Sequence, residues 1–199
     1  NARGWYVYSG DHPVAGRWGV HIEAQVRRDS IITKWDRLLF RNGVNYKLND
    51  SVVLSAGHFY IRKFPTGDFS PSTAEHRIYE QASFSENSGA WTLGHRVRFE
   101  QLFEEGSYQN RLRYRFETRR GLSRSYFLRL SAEPQVRFGF NSRGRTFDQL
   151  RLYSAIGRKL SRYWSMETGY MYQYIVPQFG NVFQSNHILR IEVTSKAPL

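Results

Sequence analysis

The stretches "RVRFE" (residues 96–100) and "RLRYRFE" (111–117) each place a charge at every second position and an apolar or aromatic residue between. Successive side chains of a β-strand point to opposite faces, so both stretches have one charged face and one apolar face. The fold depends on which of the two faces water.

The same period-two pattern recurs over most of the chain, and nothing sustains a helical period for three turns. It places strands at 17–28, 34–47, 52–62, 75–85, 91–101, 110–118, 125–138, 148–158, 163–174 and 186–194. These ten strands of about 9 to 14 residues exceed the ~5–6 usual in soluble sheets and match the ~9–11 that cross a bilayer at a tilt. Short links "KLND", "ENSG", "RRGLS" and "RKLSR" alternate with longer ones, "KFPTGDFSPSTA", "EEGSYQ", "NSRGRT" and "IVPQFGNVFQS". Short turns on one rim and long loops on the other are the habit of outer-membrane barrels. Counted from residue 17, both chain ends fall on the short-turn rim. Residues 1–16, with "GWYVYSG" at 4–10, are left as an extension, a plug or an extra strand, and residues 17–199 form the barrel domain. A weak internal repeat relates 45–61 to 157–173, each a turn feeding an alternating strand.

Composition helps to decide which row is wet. Of 29 basic residues 24 are Arg, net charge is +12 and aromatics reach 16%. The charged row (Glu23, Arg27, Arg37, Arg41, Glu75, Arg77, Arg96, Arg98, Glu100, Arg111, Arg113, Arg115, Glu117, Arg129, Glu133, Arg137, Arg151, Glu167, Arg190, Glu192) mixes signs and holds no Lys. That suits an interior lattice of planar, bidentate guanidinium pairs better than a solvated surface. The opposite row carries too many large rings for a narrow barrel interior, and Trp18, Trp35, Trp91 and Trp164 sit near strand ends, where indoles favour the headgroup level of a bilayer. The expected fold is therefore all-β: a closed antiparallel up-and-down transmembrane β-barrel, with ten strands or twelve. A soluble lipocalin-like barrel or sandwich, with the rows exchanged, is the alternative.

Several segments carry a resemblance. "WGVHIEAQVR", "LLFRNGVNYKL", "GHFYIR", "EHRIYEQ", "HRVRFEQ", "RLRYRFE", "FDQLRLYSAIGRKLS", "GYMYQ" and "NHILRIEV", in that order, resemble the bacterial family catalogued as domain of unknown function 2490. The likeness spans nearly the whole chain, and Glu-His-Arg followed by an Arg-x-Arg-x-Glu strand is its most specific part. It implies an exported barrel in the bacterial outer membrane and brings no activity or catalytic residue. The ending "EVTSKAPL" departs from the terminal aromatic usual in such barrels.

Thirteen Arg against seven Glu on the inward row leave a surplus that must meet water or an anion. The candidates for a lumen that favours anions are Arg96, Arg98, Arg111, Arg113, Arg115, Arg129 and Arg137, with Glu75, Glu100, Glu117 and Glu133 as counter-charges; a ladder that only stiffens a filled barrel is the plainer reading. The expected role is a small channel or structural barrel, not an enzyme. Ser185 and His187, on one face of a strand, raise the alternative of a lipid-modifying enzyme, but an activated serine needs a base within reach and a third group to orient it. The chain has no Cys, and the six His lack metal-ligand spacing, so no cofactor and no metal are expected. Expected partners are the lipid bilayer and lipopolysaccharide, with small anions or an outer-membrane protein contacted through the loops at 63–74 and 175–185. Nucleic acid is not expected, because Arg and aromatics lie on opposite faces.

Overall fold

The computed structural model describes residues 2–64, 72–139, 146–177 and 179–199. Eleven strands follow in chain order: β1 (Ala2–Ala15), β2 (Trp18–Arg28), β3 (Trp35–Lys47), β4 (Val52–Lys63), β5 (Thr73–Ser88), β6 (Trp91–Glu104), β7 (Ser107–Gly121), β8 (Tyr126–Phe138), β9 (Phe147–Lys159), β10 (Trp164–Ile175) and β11 (Gln184–Ser195). Each pairs with the next, and β1 closes the barrel against β11.

The expected count of ten is corrected to eleven, and the parity of that number has consequences. A meander reverses direction at every step, so the first and last of eleven strands run the same way. The seam is accordingly parallel, from Ala2 opposite His187 to Gly10 opposite Ser195, and the barrel is antiparallel everywhere else. The chain ends then lie on opposite rims, with β1 starting on the long-link rim; placing both on the short-turn rim followed from counting only from residue 17.

Three of the four short links share one chemistry, whereas "ENSG" is a two-residue turn between Ser88 and Trp91 with Gly89 at φ +59°. Backbone N–H groups of Leu48, Leu122 and Leu160 donate to the carbonyls of Val52, Tyr126 and Trp164 at 3.0, 2.9 and 2.9 Å. Inside these turns Asn49, Ser123 and Ser161 accept from the backbone through their side-chain oxygens, the turn-forming habit of such residues. In the weak sequence repeat this turn serves 45–61 and 157–173, while a third copy at 14–25 turns through two residues with Gly16 at φ +55°. "EEGSYQ" is not a long loop: Glu104 pairs with Ser107 across a two-residue turn that needs Gly106 at φ +69°. β10 ends at Ile175 and β11 begins only at Gln184, which leaves room for the long link expected there. The long links expected at 63–74 and 141–146 fall largely on residues outside those described.

Strand pairing and burial settle the two rows. Trp18, Val44, Leu54, Ile78, Val97, Leu112, Tyr114, Ile156 and Tyr170 are exposed on the outer wall, whereas Glu23, Arg41, Arg77, Arg98, Glu100, Arg113 and Glu133 are buried inside. Rings gather near both rims: Trp18 on Tyr46 at 4.8 Å near the short turns, Trp35 with Phe64 and Phe103 with Tyr108 near the long links. Aliphatic side chains dominate between them.

Five aromatics do face inward, and glycines make room for three of them, Tyr153 lying over Gly169. Tyr79 packs over Gly43 and Gly57, and Phe127 covers Gly157, where an added Cβ would stand 2.0 Å from the ring. The Arg119 guanidinium is stacked 3.5 Å from the Phe127 ring centre, which further confines the ring. Gly157→Ala is therefore expected to cost about 1–3 kcal/mol through overpacking, read as an earlier urea-unfolding midpoint. An unchanged midpoint would mean that the ring moves freely.

Candidate functional site

The inward row is a set of shared ion pairs. Glu100 on β6 is fully buried. Arg113 donates to it at 2.6 Å and Arg77 at 3.2 Å, while Arg98 and Arg111 approach to 3.6 and 3.8 Å. Arg113 carries the network to β8, where its Nη2 donates to Glu133 at 2.5 Å. Arg96 also donates to Glu133, and Arg151 stands 3.7 Å away. Arg111 pairs with Asp148 at 2.7 Å, and Arg137 donates to the same carboxylate. On the other side Glu75 receives Arg77 and Lys63.

Nearer the short-turn rim the stoichiometry reverses. Arg129 reaches Glu117 and Glu167 at 2.8 Å each and Glu192 at 3.4 Å, with Arg190 on Glu192 at 2.7 Å and Arg115 on Glu117 at 3.5 Å. Tyr153 donates its hydroxyl hydrogen to Glu167 at 2.9 Å. One cation here serves three carboxylates, whereas the first cluster sets four guanidiniums around one carboxylate.

Along the long-link ends of β8–β11 runs a chain of amides that charge-based reading does not detect. Asn186 donates to Gln173 at 3.3 Å, Gln173 to Gln149 at 2.5 Å, Gln149 to Gln135 at 2.8 Å, and Gln135 to Glu133 at 2.7 Å. Every amide donates in one direction, ending on a carboxylate. The inward position of four amides on consecutive strands was a signal, once the strands are aligned. Gln149→Leu removes two of these bonds and leaves a Gln173 donor and a Gln135 acceptor without partners. About 1–3 kcal/mol of stability should be lost, measured by urea unfolding, with Gln149→Glu as a control that keeps the acceptor.

Of the Arg expected to line the lumen, Arg96, Arg98, Arg111, Arg113 and Arg115 lie side by side on β6 and β7, as their pairing requires. Arg129 belongs to the second cluster and Arg137 to Asp148. Sequence reading passed over Asp148, the amide chain and Trp5. Trp5 is buried against Arg27, whose guanidinium is 4.0 Å from the ring centre, with Arg151 at 5.2 Å. Arg27 donates to Gln25 at 2.8 and 3.0 Å, and no carboxylate among the described residues pairs with it. The Trp5 indole N–H is buried without a partner.

Between these walls lies a cavity of about 910 Å³ that touches Lys47 and Trp18 near one rim and Lys63 and Glu104 near the other. Among the described residues eighteen Arg and Lys side chains line it, against ten Asp and Glu. On the outer wall Ser185 and His187 do not contact each other: Tyr172 bonds the serine hydroxyl at 3.1 Å and Tyr170 the imidazole at 2.6 Å.

Fold and site define a class: closed eleven-stranded β-barrels with an aromatic-aliphatic exterior and an Arg-rich, ion-paired interior. The chain belongs to the family described as protein of unknown function (DUF2490), whose model matches residues 2–184. No curated protein and no solved structure matches the chain.

Proposed function

We propose that this protein is a bacterial outer-membrane β-barrel whose water-filled lumen favours small anions. The observation that carries the reading is the sorting of side chains: charges turn inward and are paired, while large apolar groups stand exposed on the outside. Exposed apolar surface on this scale, continuous around a closed wall, is untenable in water and natural in lipid. The aromatic rims fit the same environment. Trp91 and Phe103 end the outward row of β6 and stand about 30 Å apart along the axis, taking ~3.3 Å per residue and a ~40° tilt. That is close to the hydrocarbon thickness of a bilayer, about 30 Å.

The preference for anions follows from the excess of cationic over acidic groups around the cavity. Such an excess draws in anions and holds off cations. Arg27 at Trp5, which no carboxylate among the described residues pairs with, is a place where positive charge is little offset. The membrane assignment is tested by purification: the protein should require detergent, migrate differently on a gel when unheated, and insert into vesicles. A folded protein that stays monomeric in plain buffer would overturn it.

A further inference from the structure

The outer wall contains one feature at odds with lipid. Glu80 points outward from the middle of β5 (Thr73–Ser88), between Ile78 and Ala82, and is exposed. Among the described residues it is the one carboxylate near the middle of the outward row, Glu86 of the same strand standing beside the short-turn rim opposite Leu93, and no hydrogen bond or ion pair reaches Glu80. Strand midpoints put it near half-height: it pairs across to Ala56 on β4 and to Phe99 on β6. At that level on neighbouring strands stand His58, near the middle of β4, and Asn42, opposite it on β3.

His58 meets His76 on β5 in a stacked pair, Nε2 to Nδ1 at 3.0 Å. The wall beside Glu80 is low toward Ala56 and Ala82, while Ile78 and Phe99 stand on its other sides. An acid, two imidazoles and an amide thus share one lipid-facing patch with room for another surface to approach closely. Ionisable groups at such a depth are costly to leave against hydrocarbon and call for a partner.

We infer that the outward face of β3–β5 is the contact between two copies of this chain in the membrane. The patch complements itself. Under a two-fold axis each residue pair occurs twice, so Glu80 of one copy meets His58 and Asn42 of its partner, and the reverse contact forms symmetrically. The small residues Ala56 and Ala82 allow the two walls to touch, as small side chains do where transmembrane helices meet. The inference rests on the membrane reading above, since in water Glu80 would need no partner.

The chain has no cysteine, which gives a clean test. Purified Ala56→Cys protein is inserted into phosphatidylethanolamine–phosphatidylglycerol vesicles and oxidised with copper phenanthroline, beside Ala132→Cys on the far wall. The expected result is a covalent product of twice the chain mass for Ala56→Cys and none for Ala132→Cys. Sedimentation in mild detergent should give two chains per particle, falling to one in Glu80→Leu/His58→Leu, while the unheated gel shift is retained to show that the variant still folds. Single-chain particles of the unmodified protein without an Ala56→Cys product, or equal products from both cysteines, overturn the inference. If the protein inserts and these results appear, the membrane reading stands and the contact alone is refuted. If it does not enter vesicles at all, both fall.

Discussion

Glu100→Leu should be the most damaging single substitution in this barrel, costing about 3–5 kcal/mol, the range for removing one partner of a buried ion pair. The carboxylate is fully buried with four guanidiniums around it, and two of these, Arg98 and Arg111, are themselves within hydrogen-bond reach of Gln81 and Asp148. Arg77 and Arg113 lose more, because their Nη1 groups point at Glu100. Removing it leaves like charges facing one another with nothing between. The measurement is a urea midpoint in detergent micelles, with Arg113→Leu made in the Glu100→Leu background. Because the second substitution removes one of the stranded cations, the double variant should be less destabilised than the sum of the two singles. Strict additivity would mean that the cluster is not a shared network.

Arg129→Leu is the mirror experiment. One cation is withdrawn from Glu117, Glu167 and Glu192, and Arg190 and Arg115 remain to serve them. The loss should again be about 3–5 kcal/mol. Arg129 differs from Glu100 in its electrical effect: its removal lowers the positive charge of the short-turn half of the lumen, so anion preference should fall along with stability. Arg129→Lys keeps the charge but cannot hold three carboxylates with a planar fork. It should restore ion preference more fully than stability. If both variants changed stability alone, the lumen charge would have no part in selecting ions.

The rows were legible in the sequence because a period of two is a local property. Once "RVRFE" and "RLRYRFE" alternate in register, the residues on each face follow, and Arg96, Arg98, Arg111, Arg113 and Arg115 become neighbours. The N-terminal strand stayed undecided between extension, plug and extra strand for an equally local reason. Along β1 the inward residues include Trp5, Val7 and Ser9, so the Arg/Glu signature of the other strands is missing, and Gly4 and Gly10 interrupt the outward apolar row. Missing one strand changed the parity and with it the seam and the rim on which β1 begins. The loop reading at "EEGSYQ" failed because Ser107 and Gln109 are polar, although they are inward positions of a strand that continues to its turn.

Partner identity was less accessible. Arg129 reaches Glu192 three strands away, and Arg27 and Arg151 meet on the two sides of Trp5 only after closure through the β1–β11 seam. Such contacts depend on the stagger of the closed sheet. The amides at Gln135, Gln149, Gln173 and Asn186 carry no charge, so a search for ionisable clusters passes over them.

The central claim, a membrane-spanning wall around an anion-favouring lumen, is tested most directly by the reversal potential of the purified barrel in a planar bilayer under a KCl gradient. Conductance is expected, with a reversal potential displaced toward that of chloride, and a smaller displacement in Arg27→Gln, which removes a cation that no carboxylate among the described residues pairs with and leaves the Glu100 and Glu133 pairs intact. A bilayer that stays silent with inserted protein, or a displacement toward potassium, would contradict it.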